Sequence, residues 1–331
     1  MKQRLLYIDE LKGFAILMVV IGHIFYFSFR IQGEEYISPW SEIIYSFHMP
    51  LFAFLSGLFI KPLTNWRLIK KTLERLCLPL IVIGGSYTLW RGRSLVDFAL
   101  NDFKYGYWYF LFLFIAYLLV TFFDAICRIV NFKSHKLTIL LLMVIFCICI
   151  SGGVKLLSPT IYNILGCNHI TNYMPYIFLG LFITKFGLFD KVFSNRLLFE
   201  AAAVLAFCAF ITRHYLHHGT AVYLLSPCLV FVIVTVFYRM REKSSHVKEI
   251  FQTWGKNSLE IYSLHYFFIH SCYLPYVYKL TMNNNLELVE IILATALAVV
   301  ICFLCVFIGD IIKMSKLFGY LCFGIKNKDN L

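Results

Sequence analysis

The stretch LKGFAILMVVIGHIFYFSF, residues 11–29, decides the fold class, because it is apolar and long enough to cross a bilayer as one helix. His23 lies near its middle, where an ionisable side chain is costly and by default indicates a functional site facing protein or water. Lys12 lies eleven residues earlier, which is about 16 Å and about three turns, so both side chains share one helix face. The alternative is that His23 is a hydrogen-bonded packing residue between helices, and its position favours neither interpretation.

The composition of the whole chain agrees with a membrane protein. Of 331 residues, 60% are hydrophobic and 15% are charged, against about 45–50% and about 25% in soluble domains. Ten apolar runs are long enough to span a membrane. We therefore predict an all-α, polytopic membrane helical bundle with about ten transmembrane helices. The runs are 11–29, 43–60, 76–90, 107–123, 138–152, 173–186, 197–212, 221–238, 258–278 and 288–312.

The positive charges set the predicted orientation. The net charge of +12 could indicate a nucleic-acid partner, but the charges follow the membrane topology instead. With the N-terminus in the cytoplasm, 23 of the 30 Lys and Arg residues fall in inner segments and 7 in outer loops. This asymmetry follows the positive-inside rule and predicts that both termini are cytoplasmic.

The stretches between the runs are too short to form a soluble core. We therefore predict a single integral-membrane domain over residues 1–331, with a membrane core at about 11–312 and a short cytoplasmic tail at 313–331. The external loop 153–172 is either part of a substrate vestibule or a connector. The internal, basic segment 239–257 is predicted to be a surface helix that serves only as a connector.

Polar residues interrupt the second apolar run on its outer side. His48 lies about one to two turns below the outer surface, followed by Pro50 and Gly57, which loosen helices where they line cavities. The pattern favours a functional role for His48 only slightly over snorkelling of its side chain to the interface.

Two further groups lie at the cytoplasmic side. The segment 70–79, with Lys71 and Arg75, could bind a phosphorylated ligand, although an ordinary positive-inside anchor explains most such clusters. In the ninth run, Glu260 and His265 are about 140° apart on a helix and do not share a face, so each could pair with another helix.

Together these groups place titratable side chains at the outer side, the middle and the inner side of the predicted membrane region. Proton-coupled transport and chemistry across the membrane both need this distribution, and the residues alone do not separate them. No spacing of Cys and His indicates a zinc site, so no metal is expected.

Five segments, in order along about residues 5–310, resemble acyltransferase family 3, the multi-pass membrane O-acyltransferases that modify bacterial envelope sugars. In the first, a Lys, ten intervening residues and a His form the family's signature, matched here by Lys12 and His23. The segments are IDELKGFAILMVVIGH (8–23), FHMPLFAFLSG (47–57), GYWYFL (106–111), FLG (178–180) and NSLEIYSLH (257–265).

The resemblance implies transfer of an acetyl or other short acyl group from cytoplasmic acyl-CoA to a sugar hydroxyl of an envelope or exported glycan. It also implies a location in the bacterial cytoplasmic (inner) membrane, with lipid and the glycan acceptor as partners and no nucleic acid. His23 would be either the general base or a transient acyl carrier. His48 would serve the outer half, and Asp9 or Glu10 would orient a cation or the imidazole.

For the donor, the resemblance implies that Lys12, Lys71 and Arg75 neutralise the CoA phosphates. The family usually has Arg-x-x-Arg at the start of the third helix, but here Thr72 takes the place of the first arginine. Lys71 next to it supplies a charge without the bidentate fork of arginine.

A different class of function also fits the residues. A flippase or exporter subunit for a lipid-linked sugar or polysaccharide would use the same titratable groups to gate transport. Consumption of acyl-CoA separates the two, because an exporter has no reason to bind it.

Overall fold

The computed structural model describes residues 6–30, 38–129, 136–283 and 286–325. Within these ranges the regular structure is entirely helical, which confirms the predicted all-α class. The helices are α1 Leu6–Ile24, α2 Pro39–Gly57, α3 Trp66–Pro79, α4 Gly85–Trp90, α5 Leu95–Leu100, α6 Trp108–Ile129, α7 Lys136–Leu157, α8 Pro159–Leu165, α9 Cys167–Lys185, α10 Phe189–Phe193, α11 Arg196–His214, α12 Val222–Arg239, α13 His246–Lys256, α14 Ser258–Ser271, α15 Pro275–Asn283, α16 Glu287–Met314 and α17 Lys316–Phe323.

Each of the ten predicted apolar runs overlaps a helix or a continuous helical run. In the described part of the chain, five helical segments are long and apolar enough to cross a membrane by themselves. This supports a multi-pass membrane protein, while ten crossings and the sidedness of the termini stay predictions. The five segments are Leu6–Phe29, Trp108–Ile129, Arg196–His214, Gly219–Arg239 and Glu287–Met314.

Two of the predicted runs had wrong boundaries. The run 76–90 is the second half of a helical path that starts at Trp66 and passes through a π-helical turn, Leu80–Gly84. The run 258–278 is broken after Ser271, because Pro275 cannot continue the hydrogen-bond ladder of α14 and instead begins α15.

The segment 153–172, predicted as a loop, is largely helical, and the helix predicted within 239–257 is confirmed. Most of 153–172 belongs to α7, α8 and α9, and most of 239–257 is α13.

Local sequence signals explain where several of these helices begin. The side chains of Asn65, Asn195 and Ser245 precede α3, α11 and α13, and each accepts a hydrogen bond from a backbone N–H in the first turn. At α8, Ser158 caps the helix and Pro159 occupies its first position. These caps satisfy donors that the helices themselves leave unpaired.

The chain divides into two compact units, whose boundaries fall inside α2, between α9 and α10, and inside α16. The first unit comprises Met1–Phe52 and Gly187–Phe307. In it, α13 packs tightly against the start of α1. A Cβ atom at Gly13 would lie 1.9 Å from the carbonyl oxygen of Phe251, and one at Gly255 would lie 1.9 Å from that of Asp9. Only glycine permits such a close crossing of two backbones.

The second unit comprises Ala53–Phe186 and Ile308–Leu331, and it repeats this device where α2 meets α9. A Cβ at Gly57 would lie 2.1 Å from the Ile177 carbonyl oxygen, and one at Gly180 would lie 2.3 Å from that of Phe54. Both glycines belong to segments that carry the family resemblance, and their shared role is close helix packing.

Candidate active site

The imidazole of His23 lies at the centre of a polar cluster in the first unit. Its Nδ1 is 2.9 Å from Nε2 of His265, and its Nε2 is 3.1 Å from the hydroxyl of Tyr266. The side chains of His265 and Tyr266 are buried, whereas His23 is half-buried. Both ring nitrogens of His23 are therefore engaged, on a side chain that still has exposed surface.

Two adjacent residues of α14 hold His23 from two directions. The ring planes of His23 and His265 are nearly parallel, with centroids 5.1 Å apart, and the Tyr266 ring stacks on His23 at 4.8 Å. Nδ1 of His265 lies 3.0 Å from the carbonyl oxygen of Ile261, one turn earlier in the helix. Because a carbonyl oxygen only accepts, His265 donates this hydrogen bond.

The backbone changes course directly after these residues. α1 continues beyond His23 as a π-helical turn, Phe25–Phe29, and such turns often occur at functional sites. The chain that follows α14 pairs with this turn: the Ser28 hydroxyl donates to the Cys272 carbonyl, and Leu274 N donates to the Ser28 carbonyl at 2.8 Å. The irregular ends of the two helices are thus tied together beside the histidine pair.

His48 lies next to this cluster and is buried. Its ring centroid is 6.4 Å from that of His23, and its Nδ1 donates to the Ile44 carbonyl at 2.7 Å. Tyr45 packs its ring edge against His48 at a centroid distance of 4.9 Å and is partly exposed. The structure thus brings together two histidines that the sequence placed on different helices and at different depths.

Glu10 has a different environment, about 20 Å along α1 from His23. Its Oε2 pairs with the ammonium of Lys248 at 3.1 Å, and its Oε1 accepts a hydrogen bond from Gln252 at 2.9 Å. Lys248 also donates to the carbonyl oxygens of Met240 and Lys243, at 2.6 and 2.8 Å. These contacts fix α13 against α1.

The chain as a whole matches one family model. Residues 5–307 match the model of an acyltransferase domain, acyltransferase family 3. The chain belongs to acyltransferase family 3. No curated protein and no solved structure matches it. The resemblance inferred from five short segments is confirmed over nearly the whole chain, and the protein is a membrane acyltransferase.

Two family segments meet in the second unit. The hydroxyls of Ser56, from the LSG part of α2, and Tyr109, from the aromatic start of α6, are 3.0 Å apart. Glu74 on α3 is buried and accepts a hydrogen bond from the hydroxyl of Tyr320 on α17, at 3.0 Å. The predicted donor-binding residues Lys71 and Arg75 are exposed on the same helix.

Lys104, in the second unit, makes hydrogen bonds within its own loop. The buried ammonium of Lys104 donates to the carbonyl oxygens of Ala99 and Asn101 at 2.8 and 2.6 Å. Burial lowers the pKa of Lys104 to about 8, and the carboxylate of Asp102 opposes this shift. These contacts indicate that Lys104 stabilises the conformation of the loop before α6.

In this family member, the sequence located His23 but not its partners. His265 had no assigned role and Tyr266 was not singled out, although both lie in or next to the family segment NSLEIYSLH. Lys12, also on α1, is half-buried and shares the helix face of His23. Within the described ranges, no group of three His, Cys, Asp or Glu side chains is arranged to hold a metal ion.

Proposed function

We propose that this chain is an O-acyltransferase of the bacterial cytoplasmic membrane. It moves a short acyl group, acetyl in the first instance, from cytoplasmic acyl-CoA to a hydroxyl of an envelope or exported glycan. The family supports acyl transfer, and the contacts of His23 support a hydroxyl as the acceptor.

The observation that carries this proposal is the hydrogen bond between Nε2 of His23 and a hydroxyl group, that of Tyr266, at 3.1 Å. A general base must come within about 2.6–3.2 Å of the group it deprotonates. His23 is also the half-buried member of its cluster. An incoming acceptor hydroxyl can therefore displace the Tyr266 hydroxyl and take its place at Nε2.

In the proposed reaction, His23 Nε2 takes the proton of the acceptor hydroxyl as its oxygen attacks the thioester carbonyl. The C–O bond of the ester forms, and the C–S bond of acyl-CoA breaks. The proton on His23 then passes to the departing thiolate, which leaves as the CoA thiol. Imidazole suits both transfers because its ordinary pKa lies near neutrality.

The remaining predicted residues receive supporting roles. Arg75 and Lys71 are exposed cations on α3 and are proposed to bind the phosphates of the donor. His48, buried beside Tyr45, is proposed to line the acceptor side of His23. Glu10 is proposed to hold α13 in place, since both of its oxygens are engaged there.

Envelope glycans from cells that express the protein test this function. Mass spectrometry should find a base-labile acetyl increment with the wild type, find none with His23→Ala, and find a smaller one with Arg75→Ala. His218→Ala is the matched control, because His218 is an exposed histidine in a loop of the same unit.

An increment that persists in His23→Ala would contradict the role of His23. Absence of any increment in the wild type, with glycan lipid accumulating inside cells that lack the protein, would instead indicate an exporter.

A further inference from the structure

We propose that His265 is a positioning residue that holds His23 in the tautomer with its basic lone pair on Nε2. The tautomer follows from the hydrogen bonds around the two rings. Its consequence for turnover rests on the proposed function, in which His23 is the base.

The argument starts from the backbone. The carbonyl oxygen of Ile261 only accepts hydrogen bonds, so Nδ1 of His265, 3.0 Å away, carries the proton. A neutral imidazole has one N–H, which leaves Nε2 of His265 as an acceptor. His265 is fully buried, with 0% of its surface exposed, so water does not compete for this nitrogen.

The second ring follows from the first. Nε2 of His265 accepts, and the atom 2.9 Å from it is Nδ1 of His23, which must therefore be the donor. His23 then has no proton on Nε2, which accepts the hydroxyl proton of Tyr266 at 3.1 Å. A single direction runs through the chain of hydrogen bonds, from Tyr266 through His23 and His265 to the Ile261 carbonyl.

The same distances exclude the opposite tautomer of His23, which carries its proton on Nε2. With its proton on Nε2, neutral His23 would place a lone pair on Nδ1 facing the lone pair of His265 Nε2 at 2.9 Å. Two acceptors in contact without a proton lose a hydrogen bond and repel each other, and the His265 nitrogen is buried away from water. The Ile261 carbonyl, one turn before His265 and outside the reacting atoms, thus selects the tautomer of His23.

This arrangement gives His265 a role during the reaction. When Nε2 of His23 takes a proton, its Nδ1–H becomes a charged donor, and its hydrogen bond to His265 strengthens. The protonated intermediate is stabilised more than the neutral ground state, and only such a difference speeds the chemical step. A base oriented by a third group is a recurring arrangement in nucleophilic and general-base catalysis.

The test combines a spectroscopic measurement with turnover. The ¹⁵N resonances of histidine-labelled protein in membranes distinguish the two tautomers, and the difference from His23→Ala assigns His23. The wild type should have His23 protonated at Nδ1. His265→Leu, which removes the acceptor, should shift His23 toward protonation at Nε2 and lower kcat by about 10- to 100-fold with KM unchanged.

Two further variants keep the test interpretable. His265→Gln places an amide oxygen at a similar reach, so it should preserve the Nδ1–H tautomer and recover most of kcat. His270→Leu is the matched control, because His270 donates to the Tyr266 carbonyl in the same i−4 manner and its removal should leave the tautomer of His23 unchanged.

The proposal is overturned if His23 is protonated at Nε2 in the wild type, or if His265→Gln loses turnover as completely as His23→Ala. The NMR result stands apart from the proposed function. A wild type that transfers no acyl group but has the Nδ1–H tautomer would refute the acyltransferase proposal and leave the role of His265 in holding His23 intact.

Discussion

Glu10 and His23 lie on the same helix, and their surroundings differ in kind. The carboxylate of Glu10 is 3% exposed, pairs with the ammonium of Lys248 and accepts a hydrogen bond from Gln252. The imidazole of His23 is half-buried, and one of its nitrogens contacts a hydroxyl that an incoming hydroxyl can replace.

The difference shows how a buried ionisable group in this protein can be assigned to structure or to chemistry. Both residues satisfy the rule that polar groups inside a membrane protein need partners. Glu10 is bound by residues of one other helix, α13, and these contacts hold α13 against α1. His23 is held on one side by a buried ring and is exposed in part on the other.

The largest expected effect concerns the chemical step at His23. His23→Ala should lower acyl transfer by about 10²- to 10⁴-fold, because general-base catalysis contributes that much. Its free energy of unfolding in detergent should fall by no more than about 1–3 kcal/mol, the cost of leaving the buried acceptor of His265 unpaired. If the His23→Ala protein is unfolded or not expressed, His23 has a structural role like that of Glu10, and the proposed difference between the two residues is wrong.

The second prediction concerns the ion pair at the other end of α1. Glu10→Ala should lower the free energy of unfolding by about 3–5 kcal/mol, because it leaves the ammonium of Lys248 buried without its carboxylate. Thermal unfolding in detergent measures this loss. Glu249→Ala, which removes an exposed carboxylate from α13, should change the free energy by at most about 0.5 kcal/mol.

The more conservative Glu10→Gln separates the two interpretations of this residue. Acyl transfer per folded molecule should remain near the wild-type rate. If Glu10→Gln is folded and inactive, Glu10 acts in the chemistry by orienting a cation or the imidazole, as the family resemblance implies.

The third prediction tests the close packing of α13 against α1. Gly255→Ala should destabilise the protein by about 1–3 kcal/mol, because the added Cβ would lie 1.9 Å from the Asp9 carbonyl oxygen. In the matched control, Gly152→Ala, a Cβ on α7 would have nothing within 4 Å. That substitution should leave stability unchanged or raise it, since alanine favours helix. Equal destabilisation by both would contradict the close crossing of α1 and α13.

The smallest effect is expected at an exposed cation. Arg75→Ala should raise KM for acetyl-CoA by about tenfold or more, with kcat and thermal stability nearly unchanged, as for loss of one charge-assisted hydrogen bond. Steady-state kinetics at varied acetyl-CoA measures this change. Arg128→Ala is the control, since this arginine is also exposed and lies in the same unit. A similar rise in both would indicate a general charge effect.

The helices were largely predictable, because apolar runs and caps are local. The break after Ser271 also has a local signal, since Pro275 and the residue before it both disfavour continued helix. The packing of α13 against α1 was missed, because the sequence presents 239–257 as basic and the close contact depends on two glycines, Gly13 and Gly255, in distant segments.

The candidate site was likewise predictable only in part. His23 was recognisable from its depth in an apolar run, which is a property of a single helix. Its pairing with His265 joins residues 242 positions apart in the chain, and helix periodicity carries no information about such a contact. The motif NSLEIYSLH pointed to the correct helix, but only the structure shows that His265 and Tyr266 contact the two nitrogens of His23.

The central claim is that His23 supplies the base for acyl transfer from acyl-CoA, and release of the CoA thiol by purified protein tests it most directly. Wild type and His218→Ala, given acetyl-CoA and an extract of envelope glycan lipid, should release thiol at equal rates, while His23→Ala should release none above background at equal folded concentration. Release by His23→Ala at the wild-type rate, or no release by the wild type, would contradict the account.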